Sequence, residues 1–154
     1  MILFETHVPV ADTAASKEFY VNVVGLEFAY RDPTRDIVFL WIGPEKRSML
    51  GLWGPNTHYG TYHKRHFALT LSLPDLLAVG ERLRRLGIPT RNFIGEQTIK
   101  PSVIGWMPSA QIYFSDSDGH ALEYITVLDE PPDADFIGAY SAWRQRSVSR
   151  TSGS

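Results

Sequence analysis

Cysteine is absent from the 154 residues. The chain therefore has no thiolate nucleophile, no CxxC zinc site and no disulfide, and any metal it binds is held by His, Asp and Glu. Positive charge is also short. The 15 Lys and Arg stand against 17 Asp and Glu, a formal net charge of −2, and no basic stripe breaks the balance. A nucleic-acid partner is not expected from such a chain. Long apolar runs are missing as well: no stretch reaches the roughly 18 residues that a membrane span needs, and MILFETHVPV lacks a basic region followed by a long apolar segment. The expectation is a cytoplasmic protein with no membrane and no nucleic acid as partner. An apolar share of 44% at this length gives one sizeable domain and leaves no room for two.

Within that length the chain is written twice. Ile2, Phe4, Thr6, Val8 and Val10 alternate with Leu3, Glu5, His7 and Pro9, the pattern of a strand with one mostly apolar face. Asp12 is placed to cap a helix in which Ala15, Phe19 and Val23 recur at helical spacing, and Gly25 to end it. Extended runs follow at 26–31, 37–42 and 48–53, the last two joined by the turn-rich 43–47. From His66 the order repeats. Phe67, Leu69, Leu71 and Leu73 alternate with His66, Ala68, Thr70 and Ser72. Pro74 and Asp75 open a helix carrying Leu76, Val79, Leu83 and Leu86, and Gly87 closes it. Strands are predicted near 88–94, 111–115 and 121–128, the last two joined by the turn Asp116-Ser117-Asp118-Gly119. His7 and His66 are 59 positions apart and Gly25 and Gly87 are 62 apart, so the halves run nearly in step, as an internal duplication does.

This predicts an α+β fold of two βαβββ modules, about 2–54 and 66–128, forming a curved, cup-like mixed sheet within a single domain over 1–128. Two segments fall outside the repeat. The loop 96–109, with Ile99, Val103, Ile104, Trp106 and Met107, either covers a pocket or packs on the core or a second subunit. In the extension 129–154, Pro131-Pro132 breaks the strand, and Phe136, Tyr140 and Trp143 predict a short docking helix before a disordered serine-rich end.

Strand alternation puts His7 with Glu5, His66 with Thr70, and Glu123 with Ala121 and Ile125 on the faces turned away from the helices. If those faces line one cup, His7, His66 and Glu123 converge. Two imidazoles and a carboxylate bind one divalent ion (Mn, Fe, Ni, Co or Zn) and leave positions open for a substrate or water. Taken singly, each residue reads better as a surface or core side chain or an ion-pair partner than as a ligand. Equivalent placement in a duplicated frame favours the ligand set.

The runs His7-Val8-Pro9-Val10, His66-Phe67-Ala68-Leu69 and Tyr113-Phe114-Ser115-Asp116-Ser117-Asp118-Gly119-His120-Ala121-Leu122-Glu123 resemble the vicinal oxygen chelate superfamily over about residues 2 to 128. That superfamily spans glyoxalase I, fosfomycin-resistance enzymes, extradiol dioxygenases and metal-free drug-binding proteins. The resemblance implies that His7, His66 and Glu123 are the metal ligands and that the partner is a small-molecule substrate. It also implies paired modules completed within a chain or by exchange in a homodimer, and the homodimer is the expectation. The activity implied is that of a divalent-metal-dependent enzyme that chelates vicinal oxygens of a small, partly apolar substrate and stabilises an anionic intermediate, in lyase, isomerase or addition chemistry.

Departures from the family pattern narrow this. Aligning the final hairpins of the modules puts Gly51 opposite Glu123, where glyoxalase I generally carries a further glutamate; an extradiol dioxygenase, one alternative, usually keeps an acid-base His on that strand. Ser48 to Thr57 contains no Asp, Glu or His, although His58 or His63 could approach from the neighbouring loop. A fosfomycin-type enzyme, a second alternative, grips its phosphonate with basic residues before the Tyr113 strand and shortly after Glu123, where this chain has Pro108-Ser109-Ala110 and Asp129-Glu130-Pro131-Pro132, and Lys100 is the only nearby cation in the loop. A metal-free binding protein is the third. Tyr113 shares the alternation phase of Gln111 and Ser115, which aims its phenol at the proposed cavity, either as an aromatic wall or as a group that hydrogen-bonds a substrate oxygen or exchanges a proton with it. Glu5 lies about 7 Å from His7 along the strand, close enough to act on a bound substrate, and a rim salt bridge is the competing role. His120 is expected to be structural.

Overall fold

The computed structural model describes residues 3–44, 46–57 and 63–151, the last four as backbone only. The architecture is α+β with two mixed sheets built from βαβββ-like modules. Two compact units are present, one comprising 1–65 with 116–120 and the other 66–115 with 121–154. Among the described residues no helix is long and apolar enough to cross a membrane.

In the first unit, β1 (Glu5–Pro9), β2 (Glu27–Arg31), β3 (Ile37–Trp41) and β4 (Met49–Trp53) form a sheet in the order β1-β4-β3-β2. The helical crossover makes β1 parallel to β4, and the hairpins make the other pairs antiparallel. Val8, Val38, Leu40, Leu50 and Leu52 are sealed from water on its core face. Helix α1 (Thr13–Phe19) is capped by Asp12, whose carboxylate accepts from the amides of Ala14 and Ala15. Its last turn widens to a π-helical one at Tyr20–Val24, and Gly25, at φ +90°, donates its amide to the Tyr20 carbonyl. The left-handed φ there favours glycine.

The buried face of this helix is not the expected Ala15, Phe19 and Val23 but Thr13, Ser16 and Tyr20. The cause is electrostatic. Carboxylates lie against the helix: Thr13 donates to Asp36 (2.5 Å), Ser16 to Asp118 (3.0 Å), and the Tyr20 hydroxyl to Asp116 (2.7 Å). Asp118 also accepts from the amide of Ala11, and Asp116 from those of Asp118 and His120. The carboxylate of Asp116 is buried and those of Asp36 and Asp118 are part-buried, and the hydroxyls that serve them turn inward in place of the apolar stripe that periodicity picks out. His120 is sealed in the same network. Its Nδ1 accepts from the amide of Arg65, which leaves Nε2 to donate to the Pro9 carbonyl at 2.7 Å, so the ring is the neutral Nε2–H tautomer with a structural role.

In the second unit, β5 (His66–Thr70), β6 (Ser102–Ile104), β7 (Ser109–Ser115), β8 (Ala121–Val127) and β9 (Ile137–Ala139) run in the order β5-β8-β7-β6-β9. Helix α2 (Leu73–Arg85) is capped by Ser72 and buries Leu76, Val79, Gly80 and Leu83; Leu86 is exposed. The expected strand at 88–94 does not form beyond two isolated bridges at Arg91, to Gln97 and to Tyr113. Asn92 turns the chain instead, its side-chain oxygen accepting the amides of Ile94 and Glu96. The strand of the repeat is β6, inside the segment expected to be a loop, where Val103 is buried and Trp106 is 64% exposed. The extension adds β9 to the β6 edge and then α3 (Tyr140–Thr151), which docks through buried Trp143, edge-on to Phe136 at 5.1 Å. This helix continues through serine-rich sequence expected to be disordered; the remaining end, 152–154, lies outside the described residues.

Candidate functional site

Each unit brings one histidine to a carboxylate. On β1, strand alternation puts Glu5 and His7 on one face, and their side chains meet, His7 Nε2 lying 2.7 Å from Glu5 Oε1. The separation of about 7 Å expected along the strand is thus closed by the length of the glutamate, and Glu5 touches His7 rather than standing apart from it. The His7 ring stacks on Trp53 (4.5 Å between centroids, 28° between planes) with Phe39 edge-on at 6.4 Å. Beneath the ring is Gly51, its partner in the parallel β1–β4 register. A Cβ at position 51 would stand 2.6 Å from His7 Cδ2, so the missing side chain is the space the imidazole fills. The fourth-ligand position found vacant in the sequence is occupied by the ring of His7.

In the second unit, β5 lies parallel to β8, with His66 opposite Ala121 and Ala68 opposite Glu123. His66 Nε2 is 3.1 Å from Glu123 Oε2. Glu123 is only 7% exposed, whereas the His66 side chain is 54% exposed, so a buried carboxylate sits at the inner end of an open imidazole. Tyr113, opposite Glu123 in the β7–β8 register, has its ring 6.1 Å from that of His66. Burial, and then the neighbouring negative charge of Glu123, push its phenol up to about 12. Tyr113 therefore stays a proton donor across the physiological range.

Two residues beside Tyr113 were not identified from the sequence. Arg91 bridges Tyr113 through the backbone, amide to carbonyl at 2.9 and 3.0 Å, and holds its guanidinium 5.9 Å from the centre of the Tyr113 ring. Arg91 stands 22 positions upstream of Tyr113, before the loop in which Lys100 is the only cation, and the Asn92 turn follows it directly. Gln111 is wholly buried, and among the described residues neither end of its amide is within hydrogen-bond distance and geometry of a partner. Its alternation phase was visible in the sequence; its burial was not. His63 is exposed, and His58 lies outside the described residues.

One of the two histidine–carboxylate pairs has a spacing compatible with a shared divalent ion. Nitrogen and oxygen ligands about 2.1 Å from one metal, at angles of roughly 90–105°, lie about 3.0–3.3 Å apart. The His66–Glu123 separation of 3.1 Å falls in that range. The His7–Glu5 contact is shorter, as a charge-assisted hydrogen bond is. Among the described residues no three His, Asp or Glu side chains are gathered in one group.

The sequence profile of the Glyoxalase/Bleomycin resistance protein/Dioxygenase superfamily matches residues 2–124. The chain belongs to this superfamily. Its members are mostly enzymes, many of them metal-dependent, and binding of small molecules is typical of them. No curated protein matches the chain. Among solved structures, similarity extends to the integron cassette protein HFX_CASS4 from the mobile metagenome of Halifax Harbour Sewage Outfall, at 25% identity and a TM-score of 0.69, over 82% of this chain and 98% of that one. Lactoylglutathione lyase from Agrobacterium tumefaciens is similar at 23% identity and 0.63, over 80% and 91%, and the oxidase ChaP-H2 at 20% and 0.61, over 85% and 97%. The last two share the fold of the superfamily with this chain and carry no assignment of its reaction.

Proposed function

We propose that the protein is a divalent-metal-dependent enzyme of its superfamily, with His7, His66 and Glu123 as the protein ligands and a small, partly apolar molecule bearing two adjacent oxygens as substrate. The observation that carries this is the His66–Glu123 pair, whose donor atoms have the spacing of neighbouring ligands on one ion while the imidazole stays open to a substrate. A divalent ion bound there supplies Lewis acidity toward adjacent substrate oxygens and so favours an anionic intermediate.

The remaining roles follow from the chain's own groups. Tyr113, with its phenol held protonated by burial and Glu123, donates a hydrogen bond to a substrate oxygen that gains negative charge. Glu5 would be the group to receive a substrate proton, since a His7 Nε2 engaged in holding a metal could no longer donate to its carboxylate. Trp53 and Gly51 fix the plane of the His7 ring, as packing around a ligand must for a metal to be held in one geometry. The ligands come from both units, so the set is completed within one chain or by two chains exchanging halves, and we propose a homodimer.

Elemental analysis of protein purified without a metal-chelating tag tests the proposal. About one equivalent of a divalent metal is expected in the wild type and none in His66→Ala, with the fold retained, because an exposed imidazole contributes little to stability. Equal metal content in the two proteins, or none in the wild type, rules the ligand set out and leaves the metal-free binding protein. Light scattering that shows monomer with metal still bound excludes a site shared between chains.

A further inference from the structure

The second unit holds a cavity of about 330 Å³ for which the proposed chemistry has no use. It lies between the turn made at Asn92 and the edge strand β9, and Phe93, Ile94, Pro101 and Ile137 supply apolar parts of its wall. Ile94 and Ile137 are 67% and 54% exposed, so this apolar surface is open to a molecule that enters. Sheet register sets the cavity apart from the proposed metal ligands. Ser102, in the wall, pairs with Gln111, Gln111 pairs with Ile125, and Glu123 lies two residues back along β8. Two strand spacings of about 4.8 Å and two residues at about 3.4 Å put Ser102 roughly 12 Å from Glu123 at the backbone. A small substrate held at Glu123 does not fill the cavity.

Polar groups of the wall are short of partners. Ser102 is only 5% exposed; its hydroxyl accepts the Phe93 amide at 3.3 Å, and its own proton has no acceptor among the described residues. Strand β9 contributes more. On either side of it, the Phe136 carbonyl accepts the Gly105 amide and the Tyr140 amide donates to the Pro101 carbonyl, so residues 136 and 140 bond toward β6. Antiparallel alternation then turns the amides of Ile137 and Ala139, with the Ile137 carbonyl, outward from the last strand of the sheet. Both residues line the cavity. Charge does not select an ion there: Glu96 and Lys100 stand in the same wall and offset one another.

We infer that this cavity is a second ligand site, for a neutral carboxamide with a compact apolar body. The amide oxygen takes donors from the Ser102 hydroxyl and the outward N–H groups of β9, its N–H returns a donor to the Ile137 carbonyl, and the apolar body lies against Phe93 and Ile94. An apolar cavity of about 150 Å³ takes up benzene, so this one accommodates a body roughly twice as large. With three residues, β9 is too short an edge to pair with a long peptide strand. Ile137 and Ala139 lie beyond residues 2–124 that match the superfamily, so the extension that closes the β6 edge also builds this wall.

The test is a titration of the full chain, as purified, with 3-phenylpropanamide and with 3-phenylpropanoate, the anion of the same shape, followed by proton–nitrogen NMR. Saturable binding of the amide is expected, with resonance shifts concentrated at 93–102 and 137–139 and the anion at least tenfold weaker. Ile137→Trp fills the cavity from an exposed position and should weaken the amide at least tenfold with the melting temperature retained. Ser102→Ala should weaken it several-fold, and where that variant fails to fold the Ile137→Trp result decides. His66→Ala should bind the amide like the wild type, whether or not the metal proposal holds. The site is overturned if the amide does not saturate, if the anion binds as tightly, if Ile137→Trp titrates like the wild type, or if the shifts centre on His66 and Glu123 and are lost in His66→Ala. A capped oligothreonine peptide that binds more tightly than the amide also overturns it, in favour of strand addition at β9.

Discussion

Replacing Gly51 by alanine separates the stability of β4 from the seating of His7. The new Cβ would lie 2.6 Å from His7 Cδ2 and 3.1 Å from Trp53 Nε1. Ordinary carbon contacts begin near 3.5 Å, so the imidazole must retreat by about 1 Å. It has somewhere to go, since its side chain is 42% exposed. Turning it outward loses the stack on Trp53, about 0.5–1.5 kcal/mol, and the exposed contact with Glu5, at most about 1 kcal/mol. Against this, alanine restricts the unfolded chain and returns about 0.4–1 kcal/mol, with no penalty at a position whose φ is not left-handed. The net change is at most about 2 kcal/mol, a shift of no more than about 8 °C in melting temperature for a chain of this size. Metal binding should respond very differently. A ligand ring displaced by about 1 Å is outside the roughly 0.5 Å tolerance of a preorganised site, and losing such support costs about 10–100-fold in affinity. Scanning calorimetry paired with manganese or zinc titration reads both quantities on one preparation. Undiminished affinity in Gly51→Ala would refute the assignment of His7 as a ligand seated over position 51. A fall of more than about 10 °C would show that Gly51 serves the core and not the ring.

Three further outcomes are expected. Tyr20→Phe deprives Asp116 of a buried donor at 2.7 Å and should cost about 1.5–3 kcal/mol in denaturant unfolding; a loss below about 0.5 kcal/mol would mean that the π-turn and the acidic hairpin are not coupled by this bond. Gly80→Ala drives a Cβ into the backbone carbonyl of Ile99, which cannot swing aside as a side chain can, and should destabilise by about 1–3 kcal/mol; an unchanged melting temperature would contradict the close approach of α2 to that segment. Burial and then Glu123 raise Tyr113 to about 12 from its ordinary value near 10, so its contribution to stability is complete below pH 10 and is lost as the pH rises through 12. The tyrosinate absorbance of wild type minus Tyr113→Phe should accordingly develop near pH 12, and a difference titrating near 10 would show a solvated phenol.

What could be read in the sequence divides along a physical line. Periodicity reports which face of an element is apolar, and wherever apolar burial was the deciding force the prediction agrees with the structure: α2 between Ser72 and Gly87, β7 and β8 about their Asp-Gly turn, the alternation that sets His66 beside Thr70 and away from Phe67. Where hydrogen bonding outweighs burial, periodicity points the wrong way. The face of α1 was misjudged because Thr13, Ser16 and Tyr20 follow the carboxylates of Asp36, Asp118 and Asp116, partners up to about a hundred residues distant. The strand expected at 88–94 gave way to the donors of Ile94 and Glu96, which the side chain of Asn92 captures. The same division governs the candidate site. His66, Glu123 and Tyr113 lie on strands whose facing is fixed by their apolar neighbours, and all three could be named in advance. Arg91 reaches Tyr113 from outside any regular strand, and no local pattern carries that information. Gln111 was visible only as one polar residue among alternating ones, and its significance comes from being buried with nothing to bond. A carboxamide on a core-facing strand is cheap to replace with leucine or methionine when only folding is at stake.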